Sequence, residues 1–256
     1  MDSKTFTKRV WEHLESYKIN VLGVSGKVTI GENSYGHILP PEHAKLNLGI
    51  DESKYELNDL VLKFKEIDCK TIKLHKDWQH LNSSQVLCIS YFYDFFADKA
   101  KLQSLISDVL GIDAKVKKPE FERIVKDRTN VDFVVYLENG GTVYFEIKYT
   151  EQEFGQASDD DKYRKIKEKY HSAVDISYED YIKQYQLVRN ICLSPKNSNN
   201  CTVFLLPKAN ESINEKYEDG IKTIGNFCDF NVQRFYWEDL LERIPNKNVH
   251  EKYFAL

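Results

Sequence analysis

Asp132, followed after thirteen positions by Glu146-Ile147-Lys148, is the group in this chain whose residue types and spacing best suit chemistry. Two carboxylates and an ammonium at one point can bind a cation, move a proton and hold negative charge. The Glu-x-Lys triplet alone means nothing, since about one is expected by chance at ordinary charged content. A second, Glu52-Ser53-Lys54, lies in a polar stretch with no strand pattern. Placement separates the two. Val131, Phe133, Val135 and Leu137 alternate with Asp132, Val134 and Tyr136; Val143, Phe145, Ile147 and Tyr149 alternate with Thr142, Tyr144, Glu146 and Lys148. Such alternation sends successive side chains to opposite faces of a strand. Three charges on strands this apolar need partners or a metal, because an unpaired buried charge is costly.

Glu138-Asn139-Gly140-Gly141 between the two runs is a hairpin turn. With Asn139, Gly140 and Gly141 as a three-residue loop, Asp132 faces Lys148 and lies diagonal to Glu146 on the same face. A two- or four-residue loop reverses the faces and separates the charges. The site therefore demands an odd-length loop or a bulge. The plainer reading of the same residues is a salt-bridged sheet face, Asp132 to Lys148, with Glu146 beside it.

The elements that must position these residues follow from pattern. Phe6, Val10, Trp11 and Leu14 give an amphipathic helix over residues 5–17. Residues 18–75 hold short β-like runs, such as Lys27-Val28-Thr29-Ile30, broken by glycines and Pro40-Pro41, and read as an irregular portion. Asn82-Ser83-Ser84-Gln85 reads as a capping box ahead of a buried helix over 86–110, with a break near Asp98. A strand over 114–125, interrupted near Pro119, precedes the hairpin. A helix over 178–193 and the strand Thr202-Val203-Phe204-Leu205-Leu206 follow it, then a helix near 213–226, a strand near 229–236 and a short helix from Trp237. Helix, three meandering strands, helix and strand make an α/β fold, an αβββαβ core with a mixed central sheet flanked by helices. The domain division expected is 1–81, an N-terminal portion packed on the core, and 82–256, the core with its C-terminal helices.

Composition sets limits. The net charge of −4 is weak support against a nucleic-acid binder, which needs positive charge only on its contact face. Five scattered cysteines (Cys69, Cys88, Cys192, Cys201, Cys228) form no Cys-x-x-Cys pair and read mostly as small core hydrophobes. No long apolar stretch and no apolar leader are present, so a cytoplasmic protein with no membrane span is expected.

Asp132 with Glu146-Ile147-Lys148, in that element order, resembles the PD-(D/E)XK nuclease superfamily. Asn82-Ser83-Ser84-Gln85, Lys148-Tyr149-Thr150-Glu151 with Phe154, and Trp237-Glu238-Asp239-Leu240-Leu241 resemble its restriction-endonuclease-like bacterial branch. The chain departs from the pattern in carrying Asn130-Val131-Asp132 where Pro-Asp is common. The resemblance implies a metal-dependent DNA nuclease acting in restriction or defence, with Asp132, Glu146 and the main-chain carbonyl of Ile147 holding Mg²⁺ (Mn²⁺ as substitute) and Lys148 as the catalytic cation. It further implies roles for Glu122, on the preceding strand, and for a glutamine of the following helix, Gln184 or equally Gln186, with Arg189 nearby. Thr150 and Glu151 are placed to orient Lys148 or the metal. Lys162, Arg164 and Lys165 are candidates for the DNA backbone, against the alternative of a solvated helix. A homodimer cutting both strands is left open. A nuclease fold kept only for binding nucleic acid or a protein, and an enzyme acting on small phosphorylated molecules, are the competing readings; no Gly-rich phosphate loop supports the last.

Overall fold

Phe6, Val10 and Leu14, four residues apart, are buried along helix α1 (Ser3–Asn20), as an amphipathic helix requires. Trp11 departs from the expected face: it is partly exposed and stacks on His37, with ring centroids 4.5 Å apart. The computed structural model describes residues 3–67 and 71–256. The chain divides into one unit made of Met1–Ile112 with Glu238–Leu256, and another made of Asp113–Trp237.

In the first unit, the portion expected to be irregular holds a hairpin of β1 (Val28–Ile30) and β2 (Asn33–Tyr35). It also holds an antiparallel meander of β3 (Tyr55–Asn58), β4 (Val61–Phe64) and β5 (Ile72–Lys73). The control triplet Glu52–Lys54 is a 3-10 turn in which the Asp51 side chain accepts the Ser53 N–H. The helical stretch expected over 86–110 is broken into α2 (Ser84–Phe92) and α3 (Lys99–Ser104), and Asp98 caps the second piece. Ser83 caps α2, and Gln85 stands in its first turn. Its side chain accepts the His75 N–H at 2.8 Å and donates to the Lys73 carbonyl at 3.0 Å. The Tyr91 hydroxyl donates to the Ile244 carbonyl, and the Lys252 ammonium donates to the backbone and side-chain oxygens of Asn47. These bonds tie the last residues of the chain into this unit. The units therefore part after Ile112 and Trp237, whereas the pattern placed a boundary at 81/82. Apolar on nearly every side, α2 is buried among residues of the first unit and cannot open a separate core.

The second unit contains β6 (Val116–Ile124), β7 (Asn130–Leu137), β8 (Thr142–Ile147), α4 (Asp161–Tyr170), α5 (Tyr178–Lys183), α6 (Tyr185–Ile191), β9 (Cys201–Leu206), α7 (Glu211–Lys222) and β10 (Val232–Tyr236). Helix α8 (Trp237–Arg243) starts at its last residue. The sheet runs β10-β9-β8-β7-β6. The β6, β7 and β8 strands are antiparallel neighbours, and β8, β9 and β10 are parallel, so the mixed sheet flanked by helices is as expected. Pro119 does not interrupt β6: it pairs with Val135, and the irregularity lies between Val116 and Lys118. Edge strands such as β6 tolerate a proline.

Phe204 and Leu206 of β9 pack with Tyr181 of α5, Leu187 and Val188 of α6, and Tyr217 of α7. Phe121, Phe133 and Phe145 form an aromatic ladder on the opposite face, with centroids 5.2 and 5.7 Å apart. Cys88 and Cys201 are buried, Cys192 is half-buried and Cys228 is exposed; Cys69 lies outside the described residues. Among the described residues no helix is long and apolar enough to cross a membrane.

The hairpin loop has the required odd length but is displaced by one position. Tyr136 pairs with Thr142, Leu137 N–H donates to the Gly141 carbonyl, and residues 138–140 form the turn, with Gly140 at φ 82°. Continued from Phe133↔Phe145, this register sets Asp132 opposite Glu146 rather than Lys148. A Cβ on Gly141 would collide with the Asn199 backbone oxygen, while Gly140 faces open space. Gly141→Ala is expected to cost on the order of 2 kcal/mol through overpacking, measured by urea denaturation.

Candidate active site

Register brings three carboxylates into one row. Phe121↔Phe133 and Arg123↔Val131 flank the β6–β7 position where Glu122 meets Asp132, and Asp132 meets Glu146 across β7–β8. Glu122 sits at φ 49°, a left-handed conformation uncommon for a side-chain-bearing residue. Its carboxylate accepts from the Asn130 amide at 3.0 Å. Asp132 Oδ2 accepts the Ile147 N–H at 2.7 Å. A side chain thus takes the backbone's place where β7 and β8 stop pairing.

Glu146 is 2% exposed and receives donors at both oxygens. Gln186 Nε2 lies 2.7 Å and Lys148 Nζ 3.0 Å from Oε1. Asn190 Nδ2 lies 2.6 Å and Arg189 Nη2 3.6 Å from Oε2. Gln186, Arg189 and Asn190 stand at i, i+3 and i+4 on α6, the spacing that puts side chains on one helical face. Residues 185, 187, 188 and 191 of the same helix are apolar and buried in the core. Lys148, 7% exposed, donates to Gln186 Oε1 at 2.8 Å, an oxygen that also accepts the Gly155 N–H, and its ammonium lies 5.6 Å from the Phe154 ring centre.

The charges do not balance evenly. Burial, then the nearby Glu146 and Glu122, hold the Asp132 carboxyl well above the usual carboxylate range. Burial alone would lower Lys148, but Glu146, Glu151 and Asp132 outweigh it and raise it above an ordinary lysine. Lys148 is therefore an ammonium here, and the row is short of positive charge at Asp132. Among the described residues no three His, Cys, Asp or Glu side chains are grouped so as to hold a metal ion. Asp132 and Glu146 can hold a hard cation that keeps most of its own water, as Mg²⁺ does.

The family model described as restriction endonuclease associating with ARP matches residues 12–255. The chain belongs to that family. No curated protein and no solved structure matches it.

The fold does not gather every residue singled out from sequence. Gln186 reaches Glu146 and Lys148; Gln184 sits at the break between α5 and α6, and its side-chain oxygen lies against Gly220. Two positions apart on a helix means nearly opposite faces, which accounts for the exchange. Glu151 accepts the Tyr149 N–H, and Thr150 beside it is half-buried. Arg164 pairs with Asp159 at 2.7 Å and stacks on Tyr178, and Lys162 lies over Tyr163. Helix α4, which also carries Lys165, buries no residue.

Sequence reading missed Asn190, Asn210 and His171. The polar stripe 186, 189, 190 on an apolar helix was the signal for Asn190. Asn210 Nδ2 donates to the Tyr149 and Glu151 carbonyls, and Trp237 Nε1 donates to the Lys148 carbonyl at 3.2 Å. These donors fix the backbone just beyond β8.

A carboxyl raised in the folded state binds protons that the unfolded chain has lost, so its contribution to stability falls as pH rises from the ordinary carboxylate range through the raised value. Asp127, lowered to about 2, acts in the opposite sense but only below that window. In metal-free buffer, Asp132→Asn should raise the melting temperature at pH 7 and flatten its decline between pH 5 and 8. An unchanged profile would show that Asp132 bears no such repulsion.

Proposed function

We propose that the chain is a divalent-metal-dependent DNA endonuclease of the PD-(D/E)XK type, working in restriction or defence. The supporting observation is the carboxylate row with Lys148 beside it, in which burial and the neighbouring Glu146 and Glu122 disfavour the charge of Asp132. Asp132, Glu146 and the Ile147 carbonyl would hold Mg²⁺, with Mn²⁺ as a substitute. Two carboxylates without a full cage suit Mg²⁺, which takes its remaining ligands from water and phosphate. When bound, such an ion polarises a phosphoryl oxygen and makes water a better nucleophile.

The chain's own groups do the rest. Gln186 Oε1 accepts a hydrogen bond from Lys148 and fixes the ammonium's direction, so the charge can meet the phosphate oxygens as they gain negative charge. Asn190 and Arg189 hold Glu146 in place. Glu122 is a further metal ligand or the acceptor of a proton from water, and Lys162, Arg164 and Lys165 remain candidates for the flanking backbone. Two such centres, as in a homodimer, would cut both strands, and the family's description carries the further proposal of an ARP partner.

One observation favours a second reading. Donors occupy both Glu146 oxygens, as they would in a nuclease fold kept only for binding. That reading requires no Mg²⁺ binding by calorimetry.

With supercoiled plasmid and Mg²⁺, wild type should nick or linearise DNA. Asp132→Asn, Glu146→Gln and Lys148→Ala should each lose on the order of 10³-fold in rate while still folding. Near-normal cleavage by the Asp132 or Glu146 variant would place the metal elsewhere. Ca²⁺ should tighten DNA binding without efficient cleavage, and much less so in Asp132→Asn. Anisotropy of a labelled duplex at fixed salt measures this, and an equal effect in both proteins would remove the metal from this hairpin.

A further inference from the structure

A groove of about 580 Å³ opens in the second unit along the β6–β7–β8 face that carries Glu146. Tyr136 and Tyr144 belong to its floor, since both alternate with the apolar face. Arg123 and Lys126 stand in the wall made by the end of β6 and its turn, and Tyr170, at the end of α4, is at the exposed rim. Arg189 lines the groove and also lies 3.6 Å from Glu146, so the groove runs up to the carboxylate row. This size is that of a small-ligand cleft; it takes a nucleotide and excludes a duplex.

Asp127 and His171 stand together in another part of the groove wall. Asp127 lines the groove, its side chain is 2% exposed, and its Oδ2 has no hydrogen-bond partner. His171 Nε2 stands at salt-bridge distance, 3.4 Å from that oxygen, while His171 Nδ1 is engaged with the Tyr181 hydroxyl at 2.9 Å. Tyrosine faces supply stacking, which is tolerant of base identity.

We infer that this groove binds one unpaired nucleotide of the DNA strand to be cut, its base on Tyr136 and Tyr144 and its phosphate toward Arg123 and Lys126. The inference rests on the nuclease reading for the identity of the strand, and it narrows the substrate to DNA that presents an unpaired base.

The test is binding in EDTA, where no cleavage occurs, by anisotropy of two labelled duplexes at fixed salt. They are identical except that one carries a single bulged dC. Wild type should bind the bulged duplex on the order of tenfold more tightly, the scale of one base stacked on an aromatic ring. Tyr144→Leu should abolish the preference while keeping affinity for the perfect duplex. Tyr170→Ala, at the exposed rim where truncation leaves the core intact, should reduce it. Equal affinities in wild type, or a preference surviving both substitutions, would overturn the inference. Free deoxycytidine monophosphate should compete only at far higher concentration; if it competed as well as the bulged strand, the groove would serve free nucleotides and the strand assignment would fall. Plasmid cleavage is scored separately. Loss of the nuclease reading there, with the bulge preference intact, would still leave the groove a nucleotide site.

Discussion

Three carboxylates occupy neighbouring positions on three neighbouring strands, and mutual repulsion in a poorly solvated place governs what can surround them. Glu146 meets the constraint by collecting amide, ammonium and guanidinium donors from β8's own extension and from α6. Asp132 accepts the Ile147 N–H and is drawn toward Lys148, while burial and the neighbouring Glu146 and Glu122 disfavour its charge. The low effective dielectric that makes such a cluster costly also makes a cation placed there strongly held. Stability and chemistry therefore pull in opposite directions at Asp132, as is common where a fold stores an unfavourable charge for function.

Backbone geometry serves the same end. Past Ile147, β8 no longer has a full ladder on both sides, so side chains replace strand partners. Asp132 takes one N–H, while Trp237 and Asn210 cap the carbonyls that follow. Buried peptide groups are rarely left unpaired, and here their satisfaction also immobilises the stem from which Lys148 projects. The break at Gln184 is of the same kind: it ends one helix and starts another so that three polar residues turn toward Glu146 while the apolar ones enter the core.

Period-two alternation made the hairpin legible from sequence, because both faces of β7 and β8 are strongly marked. Parity of the loop survived although the turn itself lies one residue earlier, since either arrangement keeps Asp132 and Glu146 on one face. The partner within that face was not legible: Asn139-Gly140-Gly141 offers two glycines for one left-handed position, and only packing against Asn199 decides between them. Helix contacts were half-legible for a similar reason. Gln184 and Gln186 differ only in helical phase, and a phase read across 178–193 is lost once the helix breaks between them. The α2 segment was read correctly as buried and capped by Ser83, yet its membership in the first unit depends on bonds to residues far along the chain, such as Ile244, which no local pattern reveals.

That membership has a consequence for synthesis. The first unit is discontinuous: its closing segment, Glu238–Leu256, follows the whole of the second. Domains emerging from the ribosome fold as their residues become available. Asp113–Trp237 is complete in one uninterrupted stretch, whereas α2 must wait for Ile244, and Asn47 for Lys252, both made after that stretch. The part of the chain made first is thus the part finished last. A chain cut short before Glu238 would carry an intact sheet attached to an unfinished first unit with its apolar α2 uncovered, the species most prone to aggregate.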